Sequence, residues 1–296
     1  VARVCNEKWV VGCVKRLGNL KHLALDLDGT LYLGGRLFEW TVPFLETLAR
    51  AGIGRTYFTN NSSKSTKQYV ARLNELGIEA AARDVYSSTT STIEFLNDEY
   101  AGARRLFVLG TPALREEFSQ AGFESVEDPT AGTRAAAGGG EPDVVVVGFD
   151  TTLSYDRVCR AAWWISKGKP FIATHCDRVC PTDLPTILPD CAAICAMLTS
   201  ATGREPDAVL GKPNPRMLGG LMKRHGLAAK ELGVVGDRLY TDIAMAHGAG
   251  AMGILVLSGE TTASQAALAR PGADLVVRDV GELGRLIVRE REALLV

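Results

Sequence analysis

Apolar runs of strand length recur along the chain at residues 23–27, 56–59, 106–109, 144–147, 171–174, 208–210, 234–235, 254–257 and 275–277. Between most of them lie amphipathic segments of helix length that stop at a glycine, as in Leu48-Ala49-Arg50-Ala51-Gly52, Leu73-Asn74-Glu75-Leu76-Gly77 and Phe118-Ser119-Gln120-Ala121-Gly122. Strand, helix, glycine stop and strand again predict an α/β protein with parallel sheet covered on both faces. Residues 154–167 show the pattern well: Ser154 is placed to cap a helix, Val158, Ala161, Ala162 and Ile165 share one face, and Gly168 and Pro170 end it. The glycine- and alanine-rich run 130–140, bounded by Pro129 and Pro142, reads as a surface loop.

At 296 residues the chain has room for one large or two medium domains. Its 33 basic and 34 acidic residues nearly cancel, which leaves no electrostatic footprint for nucleic acid or an anionic membrane and favours a small-molecule partner. The apolar cluster Trp9-Val10-Val11-Gly12-Cys13-Val14 is too short for a secretory segment, and no run reaches membrane-spanning length, so a soluble, cytoplasmic protein is expected. Seven cysteines, an odd number, argue for reduced thiols rather than a disulfide framework. Cys176/Cys180 and Cys191/Cys195, with His175 adjacent, raise a structural zinc site, but the spacing is loose. Cys191 and Cys195 also fit one turn of a small-residue helix packed on its core face, and ordinary thiols are the preferred reading.

The chemistry concentrates where strands end. Asp26-Leu27-Asp28-Gly29-Thr30 sets two carboxylates two residues apart at the end of the first run, the edge at which open α/β sheets bind ligands. One carboxylate can serve as nucleophile while the other handles the proton of the leaving group or of the attacking water. Thr59-Asn60-Asn61-Ser62-Ser63-Lys64 ends a second run in hydroxyls and amides ahead of a helix, where an anion could sit. Lys212 follows the 208–210 run between Gly211 and Pro213, as a point charge for a phosphate or for crowded carboxylates. Asp237 ends the 234–235 run, and Asp242 lies five residues on at the start of a helix, a place where an acid often serves only the helix dipole.

As a set in this order, these segments resemble the four signature motifs of haloacid dehalogenase-superfamily phosphatases. The likeness is greatest to the subgroup of NagD, p-nitrophenyl phosphatases, phosphoglycolate phosphatase and pyridoxal phosphate phosphatase, and it runs from about Leu23 to about Val277. The resemblance implies Asp26 as nucleophile, Asp28 as general acid and base, and Thr59, Asn60 and Lys212 as phosphate ligands. It implies Mg²⁺ held by Asp26, the backbone carbonyl of Asp28 and Asp237, with Asp242 in support behind them. It further implies a Rossmann-like core formed by residues 1–100 and 205–296 and an inserted α/β cap at 101–204, with a specificity loop near His175 and Asp177 and dimer contacts available to the cap. Relatives commonly carry asparagine at position 175 and a Gly/Thr-rich turn at 188–192, and this chain departs from both. The expected activity is hydrolysis of a small phosphorylated metabolite such as phosphoglycolate, glycerol phosphate, a nucleoside monophosphate or pyridoxal phosphate. The competing expectation is a non-catalytic phosphometabolite-binding protein on the same fold.

Overall fold

The computed structural model describes residues 14–126, 140–182 and 185–293. The apolar cluster of residues 9–14, except Val14, and most of the 130–140 loop fall outside them. The described chain groups into two compact units: residues 1–58, 70–86 and 212–296 form one, and 59–69 with 87–211 the other.

In the first unit a six-stranded sheet has the spatial order 275–277, 252–256, 232–236, 22–26, 54–59, 85–87. The five strands from Leu275–Val277 to Gly54–Thr59 run parallel, with Leu25 opposite Val235 on one side and Tyr57 on the other. Such strands are buried on both faces, and Leu23, Ala24 and Leu25 are fully covered. One face carries Phe58, Tyr86, Met217, Leu218, Leu221, Val234 and Met245 as a continuous core. Chain order reverses on either side of His22–Asp26, so this central strand lies at the topological switch point.

The inserted unit has its own sheet, in the order 208–209, 171–173, 144–147, 105–109, 124–125, with every pairing parallel. Helices Tyr155–Ser166 and Cys191–Thr202 pack on it through Ala161, Ile165, Cys191, Ile194, Cys195 and Leu198. Cys191 and Cys195 thus take the core positions that their one-turn spacing predicts. The expected glycine stops are present as left-handed residues, Gly52 at φ 64°, Gly77 at 84°, Gly122 at 92° and Gly168 at 85°. Side chains rarely adopt that conformation, and glycine adopts it freely.

Candidate active site

Asp26 is the last residue of its strand, and Asp237 directly follows Leu232–Gly236 on the adjacent one, so both leave the sheet at its carboxyl edge beside the switch point. Asp242 lies in a π-helical turn, Leu239–Ile243, a rare conformation that recurs at functional sites. One oxygen from each of Asp26, Asp237 and Asp242 can be chosen so that all three lie within 4.8 Å of one another. Lys212 is buried among them, and its Nζ donates to Asp26 Oδ1 and, at 2.8 Å, to Asp242 Oδ1.

The oxygens of these aspartates are used differently. Asp242 Oδ2 accepts from the Arg238 N–H and the Thr241 hydroxyl, both at 3.3 Å, so that with Lys212 both of its oxygens are engaged. Asp237 Oδ2 accepts from the Glu260 N–H at 2.6 Å, while its Oδ1 is buried without a hydrogen-bond partner. A buried carboxylate oxygen left in that state costs desolvation energy unless a cation meets it. Backbone closes around the same group: a Cβ on Gly29, at φ +83°, would fall 2.4 Å from Asp237 Oδ2, and one on Gly259 2.0 Å from it.

Three carboxylates face Lys212, and the nearby Arg238 guanidinium is itself paired with Glu260 at 2.8 Å, which leaves an excess of negative charge. Burial pushes Asp26 up to about 8 despite the pull of Lys212, and Asp242 and Asp237 add to the push. Asp237 is raised to about 6 by burial and by Asp242. For Lys212, burial works against the charge, but Asp242 and Asp26 hold its pKa above that of an ordinary lysine. An unpartnered oxygen, hard carboxylate donors and uncompensated negative charge together fit a hard divalent cation. Asp28 is exposed, with its backbone bridged to Tyr32, and its carboxylate is not part of the three-aspartate cluster.

In the other unit, Thr59 closes the strand Gly54–Thr59, directly after Phe58, whose register partner is Asp26. The run that follows holds itself in shape. Asn61 N–H donates to the Thr59 hydroxyl at 3.2 Å, Ser63 caps onto Asn61 Oδ1, and Ser62 joins Thr174 at 3.0 Å while accepting from Phe149 N–H. Asn60 is buried; its backbone carbonyl accepts from Ser88 Oγ at 2.5 Å, and its Nδ2 donates to Asp177 Oδ1 at 3.3 Å. His175 is fully buried between Asp177 and Asp190. Lys212 reaches its site differently from the expectation. The strand before it, Ala208–Val209, is an edge of the inserted sheet, and the chain turns at Gly211, at φ +70°, to bring Lys212 into the first unit.

Some site residues escaped the sequence. Ser258-Gly259-Glu260 follows the strand Met252–Val256; its Glu260 N–H donates to Asp237, and its Ser258 Oγ donates to the Gly29 carbonyl at 2.7 Å. The signal was available, since this is a further strand ending at the same edge. Asp190 carries the ordinary signature of a helix cap and gives no sign in sequence that it also faces a buried histidine.

Family models described as haloacid dehalogenase-like hydrolase and HAD-hydrolase-like match residues 23–124 and 209–283. The chain is 33% identical over 252 residues to D-glycerol 3-phosphate phosphatase of Mycobacterium tuberculosis, covering 84% of this chain and 66% of that protein's length. It is similar to the crystal structure of 4-nitrophenylphosphatase from Thermotoga maritima, with a TM-score of 0.83, 37% identity, and coverage of 91% of this chain and 98% of that one. It also resembles the magnesium complex of glycerol phosphate phosphatase from Mycobacterium tuberculosis, with a TM-score of 0.81, 31% identity, and coverage of 91% of this chain and 78% of that one.

Proposed function

This chain belongs to the haloacid dehalogenase-like hydrolases, in the group of NagD and the 4-nitrophenyl phosphatases, and we propose that it is a Mg²⁺-dependent phosphomonoesterase acting on a small phosphorylated metabolite. The observation that carries this reading is Asp26, held at the switch point by Lys212 beside an Asp237 whose Oδ1 lacks a partner. Flanking residues form the catalytic core and the inserted unit serves as its cap.

In this reading Asp26 attacks phosphorus through a carboxylate oxygen, the bond to the ester oxygen breaks, and the leaving alkoxide takes a proton from Asp28. Asp28 then accepts a proton from water, whose oxygen attacks the aspartyl phosphate and returns Asp26 and inorganic phosphate. The exposure of Asp28 suits it to exchange that proton with the leaving group and with water. Lys212, Thr59 and Asn60 orient the phosphoryl oxygens, and Lys212 offsets their charge. Asp242 keeps Lys212 in place, since its Oδ1 accepts from the ammonium at 2.8 Å. Mg²⁺, when bound by Asp26, Asp237 and the Asp28 carbonyl, supplies positive charge that lets an anionic nucleophile meet an anionic phosphate.

Glycerol phosphate and similar polyol monophosphates come first as substrates, supported by the glycerol phosphate phosphatase relative. The test is phosphate release from p-nitrophenyl phosphate with Mg²⁺ and with EDTA, followed by a ranked kcat/KM panel of phosphorylated metabolites. Turnover that needs Mg²⁺ supports the reading. Tight binding of phosphate esters without turnover would instead make the protein a binding module.

A further inference from the structure

Within the inserted unit, four polar residues from three parts of the sequence form one chain: Asp190, His175, Asp177 and Asn60. His175 Nε2 lies 3.5 Å from Asp190 Oδ1, and its Nδ1 lies 3.4 Å from Asp177 Oδ2. The other oxygen of Asp177 accepts from Asn60 Nδ2 at 3.3 Å. His175 is 0% exposed, neither ring nitrogen has an aligned hydrogen bond, and a carboxylate stands close to each of them. Burial works against charge on His175, but the Cys191 sulfur, Asp177 and Asp190 outweigh it and lift the pKa to about 9.

The surroundings allow this chain little play. Asp190 Oδ1 caps the helix Cys191–Thr202 through the Cys191 N–H at 2.6 Å, and the Asp190 N–H donates to the Arg178 carbonyl at 2.9 Å. The Ala192 N–H donates to the Asp177 carbonyl at 2.9 Å, tying the same loop to the same helix start. On the far side, a Cβ at Gly211 would fall 2.7 Å from both Asn60 Oδ1 and His175 Cβ, so backbone closes on the oxygen of the amide whose nitrogen Asp177 holds. Positions 175 and 190 are therefore partners in space.

We propose that His175 is a positioning residue: clamped between Asp190 and Asp177, it fixes the Asp177 carboxylate and through it the amide of Asn60 for contact with the substrate phosphate. Neutralising Asp190 takes away one of the two carboxylates that hold the ring, and replacing His175 leaves two buried carboxylates facing each other without a cation between them; in either case Asp177 loses the orientation that serves Asn60. The inference rests on the phosphatase reading above, in which Asn60 is a phosphate ligand.

Asp190→Asn is the informative variant, because asparagine caps a helix as well as aspartate does and so removes the charge while keeping the cap. With p-nitrophenyl phosphate as substrate and inorganic phosphate as competitive inhibitor, KM and the phosphate Ki should both rise about tenfold, the scale of one charge-assisted hydrogen bond. Over the same change, kcat should move by less than about threefold. His175→Asn should do the same, and the double variant should lose less than the product of the two single losses, since it removes both charges of one pair. If Asp190→Asn does not fold, His175→Asn carries the test alone. Unchanged KM and Ki in a folded variant overturn the clamp, as does a fall in kcat with both left in place. Wild-type turnover is the control: an inactive wild type overturns the phosphatase reading itself, whereas an active wild type indifferent to these substitutions overturns only the clamp.

Discussion

Lys212 sits between two aspartates that would otherwise repel each other, with a third close by, and this arrangement makes a strong demand on a single ammonium. Removing one partner of a buried ion pair costs about 3–5 kcal/mol, because the remaining charges stay desolvated. Lys212→Met should therefore lower the unfolding free energy in EDTA by about that amount, with part of the loss recovered in Mg²⁺; equal urea midpoints for variant and wild type in EDTA would contradict it. His175 makes a separate prediction. Its pKa is raised in the folded protein, so its contribution is fully present below the unfolded value near 6.5 and is lost as pH rises through about 9. Wild type should lose stability to urea between pH 6.5 and pH 9 more steeply than His175→Asn, and parallel curves would show that the ring carries no charge at neutral pH.

Elements explain why some of this was legible in the sequence and some was not. Buried parallel strands read as unbroken apolar runs, and helices that end on left-handed glycines announce their stops, so most strands of the two large sheets were already marked along the chain. Val85–Ser87 went unseen because three residues carry no periodicity, and Leu239–Ile243 because a π-turn has the same composition as a helix start. Asp26, Asp237 and Lys212 were visible from their places after strands, yet sequence could not say that the strand before Lys212 belongs to a different sheet. Asp190 was not singled out in the sequence, because its partner His175 lies in another part of the chain. Helix Tyr155–Ser166 offers a test of packing: Ile165 is fully buried against the inserted sheet, so Ile165→Ala should cost about 2–5 kcal/mol in unfolding free energy. A loss well under 1 kcal/mol would mean that this face is not core.

For the molecule as a whole, a near-neutral charge balance gives no reason to expect a polyanionic partner, and among the described residues no helix is long and apolar enough to cross a membrane. Its excess of negative charge is local, and a cation bound there should stabilise the whole fold by about 2.7 kcal/mol at 100 times its Kd. Differential scanning calorimetry should accordingly show a Tm that rises with Mg²⁺ and returns on chelation; a Tm indifferent to both would remove the cation from the account. The central claim, that Asp26 becomes phosphorylated and Asp28 moves the protons, has a direct measurement. In Asp28→Asn the nucleophile remains, and p-nitrophenol leaves without needing a proton, so phosphorylation should outrun hydrolysis, which loses about 10²–10⁴-fold without its general base. Rapid mixing with p-nitrophenyl phosphate should give a burst of nitrophenol near one equivalent, and mass spectrometry of the quenched enzyme should place the phosphate on Asp26. No burst, or a trapped phosphate on any other residue, would contradict the account.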